Sequence, residues 1–156
     1  MYKAIIIDND EDRVSLINKV LTDFYPQIEV IKVLRSTANA FLVINDLNPD
    51  LIIINGSYPN KAAFKLLEKI SNYYFHCILF DCTNEYEKNK DFEIVDYLIN
   101  PIVEIEIKKV LHKLILKMTD KYIRNQKELL LLSSRNYQYA KKEKNCYINF
   151  RRPCFY

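Results

Sequence analysis

The stretch Pro49-Asp50-Leu51-Ile52-Ile53-Ile54-Asn55-Gly56-Ser57 decides the fold. A proline opens it, four aliphatic residues follow, and it stops on an amide and the only glycine of the chain. A short, continuous apolar run bounded by turn residues reads as a fully buried central strand of a parallel sheet. Asn55 then stands at the carboxyl end of that strand. Open parallel sheets place their ligands and chemistry at that edge.

The flanking sequence repeats the theme. Ala4 to Ile7 is a second apolar run, ending in Asp8-Asn9-Asp10-Glu11-Asp12, acids that suit the first turn of a helix. Val14, Leu16, Ile17, Val20, Leu21 and Phe24 recur at helical spacing before Pro26. Ile28 to Leu34 is a more polar strand, as expected nearer an edge, and Ser36 or Thr37 can cap a second helix carrying Ala40, Phe41, Val43, Ile44 and Leu47. A third helix carries Phe64, Leu66, Leu67 and Ile70. His76 to Phe80 reads as a fourth strand ending on Asp81, Thr83 to Phe92 as a short helix, and Tyr97-Leu98-Ile99 as a fifth strand ending in Asn100-Pro101. From Glu104 a long fifth helix sets Ile107, Val110, Leu111, Leu114, Ile115, Met118 and Tyr122 near a heptad spacing. Such alternation predicts an α/β fold: a five-stranded, doubly wound parallel sheet with right-handed crossovers and helices on both faces. The strands end on Asp8, Asn55, Asp81 and Asn100, so those four residues are expected to share one pocket.

Composition excludes several classes. The 156 residues fit one domain with a modest appendage, and no apolar run approaches the ~18 residues of a membrane span. Met1-Tyr2-Lys3 leads into a short strand and then acids, which is no signal peptide, so a cytoplasmic protein is expected. The four cysteines lack zinc spacing and His76 and His112 lie far apart, which favours reduced thiols over a metal knuckle. Charge is uneven: residues 141–156 hold five basic residues against Glu143, a balance of 5 − 1 = +4, which leaves 3 − 4 = −1 for residues 1–140.

Ile6-Ile7-Asp8-Asn9-Asp10-Glu11, Pro49-Asp50-Leu51-Ile52-Ile53-Ile54-Asn55 and Asp96-Tyr97-Leu98-Ile99-Asn100-Pro101 resemble the three signatures of bacterial response-regulator receiver domains. The Asp-Tyr-Leu of the fifth strand and the Phe64–Ile70 stretch look closest to the LytTR-type regulators. The resemblance covers roughly residues 2–118 and implies a flavodoxin-like receiver fold serving two-component, phosphorelay signalling. It also assigns positions. Asn55 stands where the family has its aspartate phosphoacceptor, Asn9 where it has the second of two adjacent acids, and Asp81 where it has a hydroxyl switch residue. Asn100 stands in the place of its lysine, whereas Asp8, Pro101 and the aromatic switch position Tyr97 keep the expected type. The Asn100–Pro101 bond is the one the resemblance marks as a candidate cis peptide.

These departures bear on chemistry. Receiver phosphorylation needs a carboxylate nucleophile, a divalent cation and a second positive charge. The amide of Asn55 is too weak a nucleophile, and the lysine is missing. Asp8, helped by Asp10 or Asp81, leaves room for weak magnesium binding. The simpler and preferred reading is that Asn55, Asn9 and Asn100 hydrogen-bond with Asp8 and Asp81 without any cation. A metal-dependent enzyme built on Asp8, Asp10 and Asp81 would lack a histidine, a reactive cysteine and a phosphate-cradling glycine loop, so no enzyme is expected.

The chain divides by sequence into a receiver-like domain, 1–120, and a linker helix with a basic and aromatic tail, 121–156. Receiver domains commonly dimerise through a face that includes the fifth helix, and Met118, Tyr122 and Leu129 are candidates for contact with a second copy or another protein. Glu128 to Ala140 looks like the first strand of a LytTR DNA-binding domain, of which the remaining ~25 residues could hold only a part. The expectation is a pseudo-receiver acting by protein contact. The alternative is a fragment of a LytTR-type transcriptional regulator whose basic tail, Lys141 to Tyr156, retains nucleic-acid binding.

Overall fold

The strand read from Pro49 onward is the central strand β3, Leu51–Asn55, in a computed structural model that describes residues 1–71, 73–81 and 94–148, and the side chains of these except 121 and 132–148. Every residue of β3 is buried. Around it run β1 (Tyr2–Ile7), β2 (Ile28–Leu34), β4 (His76–Phe80) and β5 (Ile94–Leu98), all parallel, in the order β2-β1-β3-β4-β5. The more polar β2 occupies an edge, as its sequence predicts. Between the strands lie α1 (Glu11–Phe24), α2 (Ala40–Leu47), a short 3₁₀ turn (Pro59–Lys61) and α3 (Ala62–Lys69), and α4 (Glu104–Ile148) follows β5. The helix expected over Thr83 to Phe92 lies outside the described residues, so α4 is the fifth helix of the sequence reading.

Side-chain alternation sorts the core into two faces. Ile5, Ile7, Ile52, Ile54, Cys77 and Leu79 join Ala40 and Ile44 of α2 and Ala63, Phe64, Leu66 and Leu67 of α3 in one cluster. Ala4, Ile6, Ile53 and Ile78 alternate with them toward the other face. The buried residues Ile17, Val20 and Leu21 of α1, and Ile107, Val110, Leu111 and Leu114 of α4, stand outside that cluster. This is the two-sided covering that right-handed crossovers give a 2-1-3-4-5 sheet. The amino edge is tied by Asp50. Its side chain accepts the Lys3 N–H at 2.8 Å, its own N–H donates to the Lys3 carbonyl at 2.9 Å, and its carbonyl accepts from His76 at 2.8 Å.

Four local expectations change. Neither Ser36 nor Thr37 caps α2; its N-cap is Asn39, which makes no side-chain cap bond. The Ser36 hydroxyl instead accepts the Ala38 N–H at 3.4 Å, a local turn that competes with capping. β5 begins three residues earlier than Tyr97 and ends at Leu98, so Ile99 is outside it. Glu128 to Ala140 is helical rather than a strand. No glycine or proline interrupts the chain between Pro101 and Pro153, and the leucine run favours helix once α4 has been nucleated. Met118 is buried at 5 % exposure, so it is not open to a partner, whereas Tyr122 and Leu129 are 62 % and 60 % exposed.

By compactness the chain forms two units, Met1–Leu114 and Ile115–Tyr156, the second being the remainder of α4 and the residues after it. Among the described residues no helix is long and apolar enough to cross a membrane.

Within the first unit, the end of α1 meets α4 at Lys108. The Tyr25 hydroxyl donates to the Lys108 carbonyl at 2.8 Å, and the Lys108 ammonium sits 3.3 Å from the centre of the Phe24 ring. Burial pushes the Tyr25 phenol above its ordinary value near 10, against an opposing pull from Lys108. A raised phenol pKa means that the fold favours the protonated, donating form. The contribution is therefore present below pH ~10 and is lost as pH rises through the folded value. Tyr25→Phe should cost about 1 kcal/mol at neutral pH by urea denaturation, and the gap from the parent should narrow in alkaline buffer.

Candidate functional site

The pocket forms where β1 and β3 end side by side, the switch point of this strand order. Asp8 follows β1 and keeps its register, its N–H donating to the Leu34 carbonyl at 2.9 Å. The alternation that sends Ile6 away from the α2–α3 cluster sends Asp8 the same way. Its side chain is fully buried. Asn55 closes β3 and is also buried.

Four donors converge on the Asp8 carboxylate. Asn55 Nδ2 donates to Oδ1 at 3.1 Å, the Asp10 N–H donates to the same oxygen at 3.1 Å, and Arg13 Nη2 does so at 2.7 Å. Arg13 Nε donates to Oδ2, completing a bidentate fork. The Asn55 amide is used at both ends, because its Oδ1 accepts from the Ser57 N–H at 2.8 Å and the Ser57 hydroxyl at 2.7 Å.

Asp10 is the N-cap of α1, accepting the Arg13 N–H at 3.1 Å, and its Oδ2 lies 3.6 Å from Arg13 Nη1. The hydrogen bond to Asp8 holds the Arg13 guanidinium above its ordinary range; burial opposes this, and the charges of Asp8, Asp10 and Asp81 add to it. Burial likewise raises the Tyr58 phenol, with the Asp8 charge adding to the rise and Arg13 opposing it.

The other expected site residues divide. Asp81 follows β4 in the left-handed region at φ 52°, a conformation aspartate tolerates better than most residues, with its N–H donating to the Leu98 carbonyl at 2.8 Å. It lies near enough to act on Arg13 by charge. Tyr97 is half-buried and packs against the α2–α3 side of the core. Asn9 and Asn100 are exposed and, among the described residues, bond to neither Asp8 nor Asp81. The expected network of three amides therefore contracts to one, Asn55. The Asn100–Pro101 peptide is cis. Asn100, Pro101 and Ile102 form one wall of an open cleft of about 600 Å³, with Asp10, Asp12, Arg13 and Leu16 opposite.

Arg13 is the residue sequence reasoning missed. The available signal was its position: a basic side chain in the first turn of a helix opposes the macrodipole and calls for a nearby acid.

The donor set does not fit a divalent cation. Magnesium takes oxygen ligands in octahedral array, yet the oxygens of Asp8 and Asn55 are turned toward N–H and O–H donors. Among the described residues no three His, Cys, Asp or Glu side chains are placed to hold a metal ion.

No protein-family model matches this sequence, and no curated protein sequence does. Solved structures do. The receiver (REC) domain of AraT, a response regulator from Geobacillus stearothermophilus, superposes with a TM-score of 0.66 at 17 % identity, over 78 % of this chain and 98 % of that one. The response regulatory domain of mrkE from Klebsiella pneumoniae gives 0.67 at 17 % identity, over 76 % and 98 %. The response regulator domain of Thermotoga maritima CheB gives 0.58 at 16 % identity, over 77 % and 95 %. The fold is the flavodoxin-like fold of response-regulator receiver domains.

Asn55→Asp tests the pocket directly. It removes the amide donor to Asp8 and sets a second carboxylate beside it, so chemical denaturation should show a loss of about 1–3 kcal/mol at neutral pH. The loss should shrink in acid, where one of the two carboxyls takes up a proton.

Proposed function

We propose that this chain is a receiver-like signalling module of two-component type, acting by protein contact or self-association in the cytoplasm, and that it takes no phosphoryl group at Asn55. The observation that carries this reading is the Asn55 amide, spent on Asp8 at one end and on Ser57 at the other. An amide lacks the nucleophilic oxygen that an acyl phosphate requires, and the position of the family's lysine holds an exposed Asn100. The degenerate pocket and the kinship with LytTR-type regulators belong to the same proposal, as does the division into a receiver-like part, 1–120, and a linker-and-tail part, 121–156. Asp81 and Tyr97 would shape the surface that such a module presents.

Contact would run through the middle of α4, between Leu116 and Leu129. Leu116, Tyr122, Ile123 and Leu129 are each at least 45 % exposed there, and exposed apolar residues along a helix mark an interaction surface. Incubation with a small-molecule phosphodonor and magnesium should leave the intact mass unchanged; a stable gain of one phosphoryl group would sink the reading. Light scattering should show a monomer–dimer equilibrium that ignores the phosphodonor and shifts toward monomer in Tyr122→Asp.

The balance of +4 over residues 141–156 favours a second reading, binding of nucleic acid by the tail. That reading predicts salt-dependent retention of generic duplex DNA, lost on deletion of 141–156. An absence of any gel shift at low salt would dispose of it.

A further inference from the structure

We propose that Arg13 is the resident cation of this pocket, a side chain filling the charge-balancing role that a divalent ion has in receiver chemistry, so that the domain holds one metal-independent state. The inference rests on reading these positions as a receiver pocket.

Asp8 is buried without exposure, and an ionised carboxylate so placed needs a cation and a full set of donors. The Arg13 fork supplies the cation, and the Asp10 N–H and Asn55 Nδ2 supply the remaining donors. Three of these donors crowd Oδ1 and Arg13 Nε takes Oδ2, so both carboxylate oxygens are engaged. A metal ion at Asp8 would meet the positive guanidinium already bound to both oxygens.

The guanidinium is also fixed from behind. Its own backbone N–H is held by the cap residue Asp10, which keeps Arg13 on the first turn of α1 facing the end of β1. A cation at that end of a helix opposes the macrodipole, and the placement makes sense only if a stronger local interaction outweighs it. Its side chain is 9 % exposed, unlike the surface pair of Arg35 and Glu11, at 67 % and 75 %. Arginine rather than lysine suits the role, because the planar fork spans both carboxylate oxygens at once.

Thermal unfolding of the full chain, with and without divalent ions, tests the assignment. The parent midpoint should be the same in millimolar magnesium, in manganese and in chelator. Arg13→Met, which strands a buried charge, should lower the midpoint by roughly 10 °C. Asp8→Asn added to Arg13→Met should return most of that loss, because the charge that needed a partner is gone. If Arg13→Met does not fold, a folded Asp8→Asn/Arg13→Met double variant is the same coupling seen in stronger form. Three results would overturn the proposal: a parent midpoint raised by magnesium and insensitive to it in Asp8→Asn, an Arg13→Met midpoint equal to the parent's, or a double variant no better than Arg13→Met. A phosphoryl gain in the mass measurement without any of these would count against the function proposed above and leave this assignment standing.

Discussion

The Asp8 carboxylate is the constraint on which the carboxyl edge of this sheet depends. It sits at the end of β1 with no contact to solvent, held there by strand register. Removing one member of such a buried pair typically costs about 3–5 kcal/mol, because the remaining charge is left without compensation. Each neighbour can be understood as an answer to that cost. Arg13 brings the opposite charge, the Asp10 N–H and the Asn55 amide bring dipoles, and the left-handed turn at Asp81 sets a further acid near enough to favour the guanidinium.

The sheet was legible because its strands carry their own signal. Ala4 to Ile7, β3 and β4 are buried at every residue, and a parallel sheet covered by helices buries continuous runs in that way. β5 was harder to place. Its pattern is irregular, with Asp96 and Tyr97 both only partly buried and Asp96 bonded to Lys113 at 2.8 Å, and the apolar signal there is short. Glu128 to Ala140 misled for a different reason. Tyrosines, serines and an arginine suit either state in isolation, and what decides is the uninterrupted helix already running into them.

The site was legible as a set of positions and not as a set of contacts. Strand ends predicted correctly that Asp8 and Asn55 would meet, because adjacent parallel strands in register must bring their ends together. The same logic overreached for Asn100, which follows β5 at the far edge of the sheet and faces the cleft instead. It was silent about Arg13, because a long side chain returning from a helix to a strand end depends on helix orientation. Strand patterning does not contain that information.

The charge arithmetic gives Asn55, Asn9 and Asn100 a common logic. With Arg13 bound to Asp8, a carboxylate at position 55 would leave two buried acids to share one guanidinium, and the unshared charge would bear the desolvation. An amide removes that surplus while adding a donor, which is the role Asn55 fills. An acid at position 9 would add negative charge next to Asp8, whose counter-charge Arg13 already supplies. A lysine at position 100 would set another cation beside Arg13, with Asp10 and Asp12 left to balance it across the cleft. Each of these three amides is thus a residue that a tethered cation at Asp8 favours. Asn55, from which the fold was first read, is the neutral donor that the Asp8–Arg13 pair accommodates.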